Sequence, residues 1–430
     1  MSDFLQVLDS RTGEKYDVPV SDNFVLAADL AQIKGPVSGG KKQQKSGPEN
    51  LQKLRILDVG FQHTACKQSS ITLINGEEGD LRFRGHRIQD LFHKHNYQET
   101  IFLLIWGHLP TKEEAQHFSD SLAAVASPPK VVLDAVHALP HETDVYSLFL
   151  TALSAYVGAD KQMITSRHKA ESTYHNNMHN TDAALIRAIA YVTTATAVAY
   201  CHKYKLPIGE PKSTGTLVEN YLRMIGRPDP TGSIARSIDK LWIIYADHEM
   251  SNSTAAFLHV ASTLTDPLSC VIAMAAAGSG PLHVGALELC YEGLELLGTV
   301  DNVPAYLEAV KAKQFRLYGY GHRVYKAKDP RATLIEELMQ EHKAAIQANP
   351  LLQIAVEIER QANTDPYFVD RNLKMNADFY GCFIYTALDI PKDIIPALLV
   401  ASRCGGAMAH WREAMQSPIK IWRPIQQYKL

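Results

Sequence analysis

Net charge is almost absent from this chain of 430 residues, in which 43 Lys and Arg stand against 46 Asp and Glu for a formal −3. That balance leaves no electrostatic case for nucleic acid or an anionic membrane as partner, so any basic patch has to be local. Cysteine is sparse and unpaired in pattern. Cys66, Cys201, Cys270, Cys290, Cys382 and Cys404 form no CxxC pair and sit mostly among apolar neighbours. They imply no disulfide framework or zinc knuckle and read as reduced core residues of an intracellular protein. The first 18 residues lack a basic stretch followed by an apolar one, which speaks against a secretory or mitochondrial leader. The final Tyr428-Lys429-Leu430 only loosely resembles a peroxisomal address. Cytoplasm is therefore the expected compartment, with peroxisome and mitochondrion left open. Long hydrophobic runs are missing too: residues 183–201 come nearest, but Arg187 and several threonines interrupt them. A buried helix explains that stretch better than a membrane span.

With 46% hydrophobic residues, the chain can bury a large core and is longer than one minimal domain. Residues 4–33 alternate short apolar pieces (FLQVL, YDVPV, FVLAA) with turn residues, which predicts two or three small strands. Residues 35–50 are rich in Gly, Lys and Gln and read as an exposed loop or linker. Gly35, Gly40 and Lys41 have P-loop spacing there, but Lys42 stands where a magnesium-binding Ser or Thr is needed and no strand precedes them. Residues 70–84 predict a hairpin turning at Asn75-Gly76. From about residue 87 the pattern is helical, with a capping-box start at Thr111 and Glu114 and separate helices predicted over 331–346, 392–402 and 405–415 among others. A mainly α-helical, oligomeric globule is the expectation.

Chemistry concentrates in four places. Phe315–Arg331 combines Gly319, Gly321 and Pro330 with His322, Arg331 and further cationic side chains. It reads either as a basic surface loop or as part of an anionic-substrate site. His248 lies between carboxylates in YADHE; zinc binding of the HExxH kind fails because Asn252 stands where the second histidine belongs. His283 sits among Gly278, Gly280, Pro281 and Gly285, in a turn feeding a helix that favours a neutral imidazole. Those glycines do not match GxGxxG, so a dinucleotide site is not expected. Asp378 lies in the apolar and aromatic MNADFYGCFIY, where burial would raise its pKa toward that of a carboxylate base; the alternative is a helix cap.

In order along the chain, YADHE, GPLH, GYGHRVYKAKDPRA, NADFYG, SRCGGAMAHW and IWRP resemble the citrate synthase family, and LDVGFQHTACKQSSITLINGEEGDLRFRGHRIQDL fits its earlier part. The resemblance covers nearly the whole chain. It implies a mainly α multi-helical globule with a large and a small helical domain and a small N-terminal β-rich lobe. The expected divisions are 1–50 (lobe and linker), 51–270 (first part of the large domain), 271–380 (small domain carrying catalytic loops) and 381–430 (return to the large domain and C-terminal arm). It also implies condensation of oxaloacetate with an acyl-CoA, hydrolysis of the thioester, no metal and no cofactor beyond the CoA substrate. Carried over residue by residue, Asp378 would remove the α-proton, His283 would hydrogen-bond the thioester oxygen and His322 would polarise the ketone. His248, Arg331, Arg403 and Arg423 would hold oxaloacetate, with Arg423 reaching across a homodimer. Arg323, Lys326 and Lys328 are candidates for the CoA phosphates.

Two departures bear on the acyl group. Many relatives read HExNAST, against Ser251-Asn252-Ser253 here, and GPLHGGANE, against Val284 and Leu287 here. The wall beside His283 becomes more apolar and bulkier. This predicts a longer acyl-CoA than acetyl and an alkylcitrate product, as in family members of secondary metabolism. Formation of citrate or 2-methylcitrate is the alternative, and a catalytically inactive homologue is the second.

Overall fold

The computed structural model describes residues 3–36, 51–166, 171–322 and 324–428. Of the expected 35–50 linker only Gly35 and Pro36 are described, and they lie in a strand; Gly40 and Lys41 fall outside the described residues. Backbone contacts divide the chain into a body of residues 69–422 and a second unit of 1–68 with 423–430.

In the second unit, Phe4–Asp9 and Glu14–Pro19 form an antiparallel hairpin running from Phe4 opposite Pro19 to Asp9 opposite Glu14. Arg11 closes its turn onto Asp9 at 2.7 Å. Lys34–Pro36 pairs antiparallel with Leu51–Lys53. Of the two or three small strands predicted, the third apolar piece, FVLAA, does not supply a named one. Its end instead opens the short helix Ala27–Leu30, since two alanines and a leucine favour helix over strand.

The body is mainly α-helical. Its one sheet among the described residues is the predicted hairpin, Thr72–Asn75 against Asp80–Phe83, extended by His86–Arg87. The Thr111 capping box forms with both reciprocal bonds and starts Lys112–Ala123. Met178–Lys203, long and apolar enough to cross a membrane by length and composition, has 78% of that apolar window buried inside the protein. It packs on Ile395–Gln416.

That last helix corrects the sequence reading, which broke it between residues 402 and 405. Gly405-Gly406 does not end the helix because close packing surrounds it. A Cβ on Gly406 would sit 2.3 Å from the Ala246 carbonyl oxygen, and one on Gly405 would sit 2.2 Å from Ile101. The glycines let two neighbours touch the helix backbone, which offsets their low helix propensity. The predicted 331–346 helix divides in turn into Pro330–Glu341 and Lys343–Gln347, with His342 leaving helical geometry at φ −107°. Around these helices the core holds fully buried Trp242, Trp411, Tyr97 and Tyr385, each large apolar side chain stabilising the fold by about 1.5–3 kcal/mol.

Candidate active site

The 315–331 segment is held by backbone pairing that its sequence does not announce. Tyr320 bridges Met375, Gly321 N–H donates to Lys374 O at 2.7 Å, and Asn376 N–H donates to Gly319 O at 2.9 Å. Gly319 has φ 78°, and a Cβ there would lie 2.8 Å from Phe379 Cα. No other residue type satisfies both the left-handed backbone and the contact. Asn376 then caps Ala377–Ala387, accepting from Asp378 N–H at 2.9 Å. The loop of His322 and the helix start of Asp378 are thereby fixed to one another. Farther along, Lys326 N–H and Ala327 N–H donate to Gly76 O in the hairpin turn, at 2.9 and 3.1 Å.

His322 Nδ1 accepts from the N–H groups of Val324 (3.0 Å) and Tyr325 (3.2 Å). The ring proton of the neutral form therefore sits on Nε2. Burial, with Arg331 adding to it and Asp329 opposing, pushes the His322 pKa down to about 4. Arg331 Nη2 lies 3.4 Å from this Nε2; both are donors, so the approach is crowding rather than a bond. Asp329, the cap of Pro330–Glu341, grips Arg331 through Nε (3.0 Å) and Nη2 (2.8 Å), and both side chains are buried. The two-point pairing fixes the guanidinium plane and compensates its buried charge.

His283 uses the opposite nitrogen. Its Nε2 accepts from Ser253 N–H at 3.3 Å and contacts Ser253 Oγ at 2.8 Å, which leaves the proton on Nδ1. Burial first, and Arg403 second, push its pKa down to about 4. The helix Gly285–Leu297 starts two residues later, as the turn-then-helix reading predicted. His248 packs its ring against His322 at 5.2 Å between centroids and places Nε2 3.2 Å from the Tyr325 hydroxyl. Burial, then Arg331, Arg403 and His322, hold it well below its usual pKa. Three neutral imidazoles thus face two guanidinium groups.

Arg403, from Ile395–Gln416, donates through Nε to Tyr245 O at 2.7 Å and through Nη1 to Ser251 Oγ at 3.4 Å. Asp378 is half-buried, and its carboxylate makes no hydrogen bond among the described residues. Burial raises its pKa above the ordinary value, with Arg331 and Arg403 pulling the other way. An unpaired carboxylate beside two arginines and neutral histidine donors can take a proton while negative charge develops elsewhere.

The remaining sequence candidates divide. Leu287 is buried, and a Cβ on Gly381, one turn beyond Asp378, would lie 3.2 Å from its Cδ1. Val284 packs toward Gly278, 3.1 Å from where a Cβ there would sit. A void of about 10 Å³ borders Phe379, Cys290, Gly293 and Tyr318 and is lined by neither Val284 nor Leu287. Lys326 and Lys328 are exposed and ion-paired with Glu77 and Glu336. Arg323 lies outside the described residues. Arg423 is exposed and belongs to the other unit. Sequence reasoning missed Tyr325 and Ser253. Tyr325 sits inside the motif and could have been weighed as an aromatic donor, but nothing local links Ser253 to a histidine 30 residues away.

Fold and site together give a mainly helical protein in which burial and two arginines keep His248, His283 and His322 neutral and the Asp378 carboxylate stands without a hydrogen-bond partner among the described residues. A family model, "Citrate synthase, C-terminal domain", matches residues 60–425. The chain belongs to the citrate synthase family. It is 60% identical over 428 residues to a citrate synthase-like protein of Phoma sp., covering 100% of this chain and 90% of the relative. It is 34% identical to the alkylcitrate synthase phiJ of a fungal species, covering 99% and 93%. Among solved structures, citrate synthase from Thermoplasma acidophilum in a ternary complex with carboxymethyl coenzyme A and oxaloacetate superposes with a TM-score of 0.79. That match is at 25% identity over 87% of this chain and 96% of that one. The reaction is citrate synthase-type condensation, an acyl-CoA joined to oxaloacetate by C-acyl transfer.

Proposed function

We propose that the enzyme condenses oxaloacetate with an acyl-CoA longer than acetyl and releases an alkylcitrate. The observation that carries the division of labour is that His283 and His322 each have one nitrogen occupied by backbone N–H donors, while Asp378 has no partner. Asp378 takes the α-proton of the thioester as Nδ1–H of His283 bonds the oxygen that gains charge. The enol carbon then attacks the ketone carbon of oxaloacetate, whose oxygen receives a hydrogen bond from Nε2–H of His322. A new C–C bond forms, and water cleaves the resulting thioester to release CoA and the tricarboxylate. Each donor of this kind contributes about 3–4 kcal/mol at the transition state. His248, Arg331 and Arg403 hold the dicarboxylate, for which the guanidinium fork is suited. Arg423 completes the site of a second copy in a homodimer. Side chains alone supply the acid and base, with no metal. Residues 271–380 close as a small domain over the substrates. Cytoplasm is the compartment assigned, with peroxisome next because peroxisomal citrate synthases are among the relatives.

Support for the longer acyl group comes from the likeness to the alkylcitrate synthase, from the apolar Leu287 against the Asp378 helix and from Val284 next to His283 in the chain. What favours the second reading, citrate or 2-methylcitrate, is that citrate synthases are also among the relatives. Thiol release from a ladder of acyl-CoAs, acetyl to decanoyl, with oxaloacetate decides between them. The alkyl reading expects kcat/KM to peak beyond propionyl. Fastest turnover on acetyl-CoA overturns it, and no release from any donor means an inactive homologue.

A further inference from the structure

We propose that Ser251 is a positioning residue that relays the charge of Arg403 through Ser253 to His283 and so holds the His283 proton on Nδ1. The inference rests on the reading of His283 as the thioester donor. Ser251 is the cap of Asn252–Ala261 and accepts from Thr254 N–H at 3.2 Å. Its hydroxyl does more than cap the helix. Arg403 Nη1 donates to Ser251 Oγ at 3.4 Å, Ser251 Oγ lies 3.2 Å from Ser253 Oγ, and Ser253 Oγ lies 2.8 Å from His283 Nε2. Thr254 N–H and Arg403 Nη1 occupy both lone pairs of Ser251 Oγ, so its single proton goes to Ser253 Oγ or to Thr254 Oγ1 (2.9 Å), and the relay takes the first.

All donors in this chain then point one way, from guanidinium to imidazole. Hydrogen bonds in series polarise one another, and here the head of the series carries a full positive charge. The end of the chain makes Nε2 a fixed acceptor and Nδ1–H a stronger donor. Arg403 also belongs to the proposed oxaloacetate site. The relay is therefore a short path by which that site bears on the acyl site.

Three variants separate this from capping. Ser251→Gly removes the hydroxyl while costing the helix cap only a few tenths of a kcal/mol. Ser251→Thr keeps both hydroxyl and cap, and Ser251→Ala loses both. The relay predicts that Ser251→Gly and Ser251→Ala lower kcat about tenfold, the equivalent of one hydrogen bond of about 1.4 kcal/mol. KM for oxaloacetate should stay within about twofold on the same scale, and Ser251→Thr should keep wild-type kcat. In substrate-free enzyme, nitrogen-15 NMR should show the His283 protonation midpoint rising in the glycine variant and unchanged in the threonine variant. An unshifted midpoint in Ser251→Gly overturns the relay, as does a kcat loss in Ser251→Ala that Ser251→Gly does not share. Because the NMR arm needs no substrate, it remains decisive even if wild-type enzyme releases no thiol and the functional reading fails.

Discussion

His283 and His322 sit in one cationic pocket, share a pKa pushed down to about 4, and still keep opposite nitrogens free. In His322 two backbone N–H groups three residues or fewer away occupy Nδ1. In His283 a residue 30 positions distant occupies Nε2. The tautomer of one is written into its own turn, whereas that of the other depends on the meeting of two helices. The comparison teaches that two histidines of the same charge can serve as donors toward two different oxygens, provided a third group acts as base.

The sharpest way to break that scheme is to remove the base. Asp378→Asn should lower kcat at least about a hundredfold, the low end of general-base contributions, with little change in oxaloacetate affinity measured by calorimetry. Near-normal turnover would mean that one of the histidines takes the proton and that the two are not both donors. A smaller effect is expected at the outer face of the same loop, where Lys326 and Lys328 are exposed. If they meet CoA phosphates, the Lys326→Ala and Lys328→Ala double variant raises KM for acyl-CoA up to about fivefold, equivalent to ~1 kcal/mol. Its kcat should not change, and added salt should mimic it. A fall in kcat would show that the loop's outer and inner faces are not independent.

Much of this molecule was legible from residue order. The Thr111 capping box, the Asn75-Gly76 hairpin and the helix after His283 are local, and local chemistry sufficed to place them. The neutral His283 expected from its place ahead of a helix and the raised pKa expected of Asp378 from its apolar neighbours agree in direction with the structure, although burial and Arg403 are what lower His283. Groups joined only by folding were not legible. Gly405-Gly406 read as a break because its contacts, Ile101 and Ala246, lie far away in sequence. The ion pairs of Lys326 with Glu77 and of Lys328 with Glu336 could not be read either, because the carboxylates come from other elements. Asp329 caps Pro330–Glu341 and also grips Arg331 two residues on. The bond geometry between them, not the spacing, reveals the second role.

The central claim, two neutral imidazoles with protons on opposite nitrogens, is open to direct observation. Nitrogen-15 NMR of histidine-labelled enzyme at pH 7 should show His283 protonated on Nδ1 alone and His322 on Nε2 alone, each gaining its second proton only near pH 4. The same tautomer in both, or an imidazolium in either at pH 7, would contradict the account.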